Sequence, residues 1–105
     1  MDLAFKALAD PRRREIVRLV WSHELPATAI ADHFSDVTRP AISQHLAVLR
    51  TAGLLCERRE GTRRLYCANH VELQSLRTYL DGFWSESLGN LRDLVELPTE
   101  RPRRP

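Results

Sequence analysis

Thr38-Arg39-Pro40-Ala41-Ile42-Ser43-Gln44-His45-Leu46-Ala47-Val48-Leu49-Arg50-Thr51-Ala52-Gly53 reads as one short helix with marked ends. Thr38 is an N-cap residue, because its hydroxyl accepts from an otherwise orphan backbone N–H. Proline is tolerated in the first turn, where its missing N–H costs nothing. Gly53 can turn left-handed just past the end. The spacing therefore predicts a helix over 39–52. Ile42, Leu46 and Leu49 fall at i, i+4 and i+7 and make one apolar stripe. Pro40, Gln44, Ala47 and Thr51 point the other way, with Ser43 on the flank. That face lacks the Lys, Glu and Arg usual on an exposed helix. It suits close approach to a surface rich in donors and acceptors, such as base edges in a DNA major groove. An ordinary surface helix is the competing reading of this stretch alone.

A chain of 105 residues predicts one domain, over 1–97. No apolar run reaches the ~18 residues of a membrane span. The N-terminus lacks the pattern of a secretory signal, and the two cysteines then imply a reduced, cytoplasmic protein. The net charge is only +2, but it is unevenly spread. Residues 39–64 carry six arginines against two acids, and residues 71–100 carry six acids against two arginines. One face is thus suited to a polyanion and the other is not. An Arg-rich composition alone would give the same totals.

Around the central helix the chain divides clearly. Residues 2–9 predict a short helix bearing Leu3, Phe5 and Leu8. Asp10-Pro11 starts a second helix, running to about Ser22. Arg12, Arg13 and Arg14 sit near its N-terminus, where the helix dipole disfavours cations. An intramolecular or interchain anion is the expected partner, ahead of a DNA phosphate. Leu25-Pro26 breaks the chain. Residues 27–34 form a further short helix, joined by Ser35-Asp36-Val37 to the central one. Two short helices, a tight turn and a helix with a readable face make a helix-turn-helix.

After Gly53 the period becomes extended. Residues 54–59 and 63–68 flank Glu60-Gly61-Thr62 and predict a β-hairpin. Arg58, Arg59, Arg63 and Arg64 crowd its tip. A basic hairpin directly after a helix-turn-helix is a wing, suited to phosphates or a minor groove. Arg63 and Arg64 are the expected anchors. Arginines that merely keep a sheet edge soluble are the alternative. The last predicted helix covers 71–97, about seven turns. Its stripe of Leu73, Leu76, Leu80, Phe83, Trp84, Leu88, Leu91, Leu94 and Val95 exceeds what so small a domain buries, so a helix-to-helix homodimer seam is expected. The Arg/Pro tail, 98–105, is expected to be disordered. The fold class is therefore mainly α with a small β-hairpin: about five helices plus a wing.

These pieces together resemble the ArsR/SmtB type of winged helix-turn-helix transcriptional regulator. The resemblance rests on 5–14 (Phe5 to Arg14), on Arg39-Pro40-Ala41-Ile42-Ser43-Gln44-His45-Leu46 through Leu49-Arg50-Thr51-Ala52-Gly53-Leu54, and on Arg59-Glu60-Gly61-Thr62-Arg63-Arg64. It spans residues 3 to about 97. It implies a homodimer built from the first and last helices, through Leu3, Phe5, Leu76, Leu80, Phe83, Trp84, Leu88 and Leu91. It implies double-stranded DNA with a roughly palindromic operator as partner, and repression, often of the regulator's own operon. Ser43 and Gln44 match residues that reach bases, and Arg39 and Pro40 match the helix start that meets DNA. The chain departs from the family's metal sensors. Their Cys-x-Cys cluster is absent from Glu24-Leu25-Pro26-Ala27-Thr28-Ala29-Ile30-Ala31-Asp32-His33, and the last helix has no second histidine after His70. No metal and no cofactor are expected, and the residues name no small-molecule inducer.

Around a turn centred between Gly61 and Thr62, Cys56 and Cys67 share a register. Directly opposed residues have Cα atoms about 4.5–5.5 Å apart, within disulfide range. A thiol or redox switch in the wing and two small residues filling space both fit. His23, His33, His45 and His70 form no ligand spacing. His45 suits the edge of the recognition helix, with DNA contact as its second role. No nucleophile–base pair or phosphate-gripping loop appears, so no enzymatic activity is expected. Beside the repressor stand two other readings: a redox-responsive repressor, and a winged-helix interaction module that does not bind DNA.

Overall fold

The Asp10-Pro11 step divides the N-terminal region into α1 (Asp2–Leu8) and α2 (Pro11–Leu19). A two-residue strand, β1 (Leu25–Pro26), leads into α3 (Ala27–His33) and then α4 (Arg39–Thr51). Strands β2 (Leu55–Glu60) and β3 (Arg63–Ala68) precede α5 (His70–Val95). The computed structural model describes residues 1–95, with side chains through Glu86. The predicted disordered tail, 98–105, lies outside the described residues. The chain divides into two compact units, Met1–Gln74 and Ser75 onward.

In the first unit α4 packs against α1, α2, α3 and β2. Ile42, Leu46 and Leu49 are 1, 2 and 0% exposed, as their spacing predicts. Burying each stabilises the fold by roughly 1.5–3 kcal/mol relative to exposure. Ile16, Val20, Ile30 and Leu54 complete the fully buried centre. The ends of α4 form as the sequence indicates. Thr38 Oγ1 accepts from the Ala41 N–H at 3.2 Å. Gly53 has φ +82°. The Gly53 N–H donates to Arg50 O, and Leu54 N–H to Leu49 O, each at 2.9 Å. These paired bonds are a Schellman stop, which needs a left-handed residue where glycine stands.

The sheet adds a strand to the predicted hairpin. Its order is β1-β3-β2, with Leu25 opposite Tyr66 and Pro26 opposite Leu65. Leu25-Pro26 is therefore an edge strand as well as a break. Proline is tolerated there because an edge leaves one side of the backbone unpaired. A second difference is the end of α2, at Leu19 rather than Ser22. The Val20 carbonyl accepts from the Ala68 N–H at 3.0 Å, and His70 Nε2 lies 2.8 Å from the Trp21 carbonyl. Both carbonyls are thus taken by the sheet end and the start of α5 rather than by a further helical turn. Asn69 joins those elements: its Nδ2 donates to Gly53 O at 2.9 Å, and its Oδ1 accepts from the Glu72 N–H at 3.3 Å.

The three arginines opening α2 find anions, or the negative end of a helix, within the chain. Arg12 pairs with Asp36 at 3.2 Å. Arg13 donates to the carbonyls of Ala7 (2.7 Å) and Lys6 (3.3 Å), and Arg14 to that of Leu8 (2.7 Å). These are the last carbonyls of α1, where cations are favoured.

Asp10 caps α2 through Oδ1, which accepts from the Arg12 and Arg13 N–H groups at 2.7 and 3.4 Å. Partial burial pushes its carboxyl up, but those two bonds, with the charges of His45 and Arg13, outweigh it and bring the pKa below its ordinary 3.8. Asp10→Ala is expected to cost about 1 kcal/mol in urea unfolding at neutral pH. A lowered folded pKa means that this contribution is complete above the unfolded value and is lost as pH falls through the folded one. The difference between wild type and variant should therefore shrink below the ordinary carboxylate range.

Candidate nucleic-acid interface

The capped ends of α4 hold its outward face in place. Arg39, Pro40, Ser43, Gln44, Ala47, Val48 and Thr51 are exposed. Among the described residues, the side chains of Ser43 and Gln44 make no hydrogen bond, so their side-chain donors and acceptors remain available. Arg39 lies at the helix start, 3.3 Å from Asp32 of α3. His45 sits on the inner edge, half-buried, with Nδ1 3.4 Å from Arg13 NH1. The structure thus places His45 against α2, apart from the Ser43–Gln44 face.

The hairpin stands beside this face. Its register is closed by Glu60 opposite Arg63, leaving Gly61-Thr62 as a two-residue turn. Gly61 takes φ +64°, the left-handed first position that such hairpin turns require. A groove of about 480 Å³ runs between α4 and the hairpin, lined among others by Ser43, Ala47 and Arg50 on one side and by Arg63 and Arg64 on the other.

Carboxylates hold most of the wing arginines in defined positions. Glu57, whose side chain is only 17% exposed, receives Arg50 from α4 and Arg64 from β3, each at 3.2 Å. One carboxylate therefore ties the end of the recognition helix to the wing. Arg58 is bidentate on Glu24, at 2.7 and 2.8 Å. This hydrogen bonding, reinforced by the opposite charge, lowers the Glu24 pKa and raises that of Arg58. Arg63 pairs with Glu60 at 3.1 Å. Arg59, directly opposite Arg64, makes no ion pair among the described residues. Arg50, Arg58, Arg59 and Arg64 surround the single carboxylate of Glu57 in a cleft of about 370 Å³. With Arg58 already paired to Glu24, the remaining excess of positive charge suits an anion.

Comparison with known proteins agrees with this geometry. A family model described as a helix-turn-helix domain matches residues 8–58. The chain is 44% identical over 95 residues to the HTH-type transcriptional regulator Rv2034 of Mycobacterium tuberculosis, covering 90% of this chain and 88% of that protein. It is 35% identical over 83 residues to the transcriptional repressor SdpR of Bacillus subtilis, covering 79% and 91%. Among solved structures, an ArsR-like transcriptional regulator from Rhodococcus sp. RHA1 superposes with a TM-score of 0.72 at 28% identity, over 91% of this chain and 92% of that one. The chain belongs to the ArsR/SmtB-type family. Its members are DNA-binding transcriptional regulators, not enzymes.

In this ArsR/SmtB-type chain, sequence reasoning placed Arg58, Arg59, Arg63 and Arg64 at the hairpin tip but missed Glu57 and Arg50, which share a cleft with Arg58, Arg59 and Arg64. Alternation along β2 puts residues 57 and 59 on one face, a signal available in the sequence. The meeting of Glu57 with Arg50 depends on tertiary packing and was not. On α1, Leu3 is 59% exposed and Phe5 is half-buried. On α5, Leu80, Phe83 and Trp84 are 37, 53 and 56% exposed, whereas Leu76, at 6%, has little surface left for a second chain. The side chains of Leu88 and Leu91 lie outside the described residues. Cys56 and Cys67 are free thiols in direct cross-strand register.

Proposed function

We propose that this chain is a homodimeric repressor that reads a roughly palindromic operator with the outward face of α4. The observation that carries this reading is the pairing of two surfaces. An exposed, uncharged, hydrogen-bonding face at Ser43 and Gln44 lies beside an arginine-bearing hairpin tied to the same helix through Glu57. Gln44 and Ser43 choose bases, and Arg39 contributes to bases or phosphates beside Pro40. Thr38 caps the helix. Arg63 and Arg64, with Arg50 and Arg59, hold phosphates. Exposed ion pairs contribute little, so the Glu60 partner of Arg63 and the Asp32 partner of Arg39 can be exchanged for phosphate at small cost.

The exposed apolar residues Leu80, Phe83 and Trp84 on α5, with Leu3 on α1, support the dimer. Two-fold symmetry then requires two half-sites about one helical turn, or a small multiple, apart. The cysteine-free stretch Glu24–His33 supports a regulator without the Cys-x-Cys chemistry of the family's metal sensors.

Arg59→Ala and Arg63→Ala are each expected to weaken binding to all duplexes by a similar factor and to lower the salt slope of log K by about 1. Fluorescence-anisotropy titrations across a salt series check this. A sequence-selective loss, or an unchanged slope, would contradict phosphate contact.

A further inference from the structure

We propose that Cys56 and Cys67 form a redox-modification site in the wing, closing to a reversible disulfide with peroxides or low-molecular-weight disulfides and so altering the hairpin's grip on DNA. The second half of that statement rests on the DNA-binding reading; the first does not.

The two residues are direct cross-strand partners, four register positions from the Glu60–Arg63 pair that closes the turn. Opposed antiparallel residues have Cα atoms about 4.5–5.5 Å apart, inside the range that a disulfide spans without backbone movement. Alternation puts both side chains on the same face of the hairpin. Cys56 is exposed and Cys67 is half-buried. Burial first, then the neighbouring Cys56 and Glu24, push the Cys67 thiol up, while Arg58 opposes them. The division of labour follows: Cys56 meets the oxidant and Cys67 resolves the product.

With hydrogen peroxide, the Cys56 thiolate attacks one peroxide oxygen. The O–O bond breaks, giving a sulfenic acid and hydroxide. The Cys67 sulfur then attacks the Cys56 sulfur and displaces the sulfenic oxygen as a second hydroxide. The two thiol protons convert both hydroxides to water. Two thiols and one peroxide thus yield one disulfide and two waters, with two electrons passing from sulfur to oxygen. Oxidised glutathione gives the same product by two thiol–disulfide exchanges, releasing two glutathione thiols.

The test uses the full chain, reduced, freed of reductant and titrated with hydrogen peroxide or oxidised glutathione. Thiols are then blocked with N-ethylmaleimide and intact mass is measured. The expected product is a monomer-mass species lacking two hydrogens and carrying no maleimide, returned to a doubly modified species by dithiothreitol. Cys67→Ser should instead stop at a sulfenic acid or a mixed disulfide. Two blocked thiols after oxidation, or a covalent dimer as the main product, would overturn the site. Affinity for a promoter duplex is then compared between the oxidised and reduced forms. A severalfold difference, absent in the Cys56→Ser/Cys67→Ser double variant, is expected. A disulfide that forms while affinity stays equal would overturn the regulatory half. A reduced protein that ignores the duplex yet still closes the disulfide would overturn the DNA-binding reading and leave the site standing.

Discussion

A variant carrying Phe83→Asp and Trp84→Asp is expected to sediment as a monomer and to lose about 10²–10⁴-fold in affinity for a two-half-site operator. The loss arises because a second recognition helix, held at high effective concentration by the first, is no longer attached. Both side chains are more than half exposed in the single chain, so the substitutions remove little packing within it. In a dimer seam, each would bury a carboxylate without a partner, which is strongly unfavourable. Affinity for an isolated half-site should stay near the wild-type value, and circular dichroism should show the helices intact. A variant that remains dimeric would place the seam elsewhere on the chain.

The second large effect is expected at Gln44. Gln44→Ala should cost about 1–3 kcal/mol at one base position in each half-site and leave the others unchanged. The physical basis is local. A glutamine amide offers one donor and one acceptor side to a single base edge, and alanine offers neither. Gln44 is exposed and lies outside the apolar stripe, so stability should move by no more than about 0.5 kcal/mol. Titrations against a panel of single-base operator variants separate this from phosphate loss. A uniform drop across the panel would assign Gln44 to the backbone instead.

The recognition helix was legible because its punctuation is chemical. Thr38 caps, Pro40 opens and Gly53 closes, and the structure places the helix at Arg39–Thr51. The hairpin register follows from where the turn is centred: between Gly61 and Thr62 it aligns Cys56 with Cys67, as in the structure, whereas a shift of one residue would have separated them. What escaped was decided by distant partners. β1 has two residues, too few for alternation to show, and exists because β3 offers an edge to Leu25 and Pro26. The apolar run through Val20 and Trp21 reads as more helix, yet their carbonyls are taken by Ala68 and His70. In the site, the exposed face of α4 followed from periodicity. The Glu24–Arg58 clamp joins residues 34 apart in sequence, and the Arg50–Glu57–Arg64 bridge joins a helix to two strands. Such contacts are set by how elements pack, which no local pattern encodes. The arginines at the start of α2 fall between these cases: their unfavourable dipole position announced partners, and only the fold identified them as Asp36 for Arg12 and the end of α1 for Arg13 and Arg14.

The central claim is that the outward face of α4 reads a specific two-fold DNA sequence. Footprinting on the DNA upstream of the protein's own reading frame, with wild type and Gln44→Ala side by side, tests it most directly. The account predicts a protected, roughly palindromic site with half-sites about one helical turn or a small multiple apart, and weakened or shifted protection with Gln44→Ala. Diffuse, salt-sensitive binding without a protected site, identical for the two proteins, would contradict it.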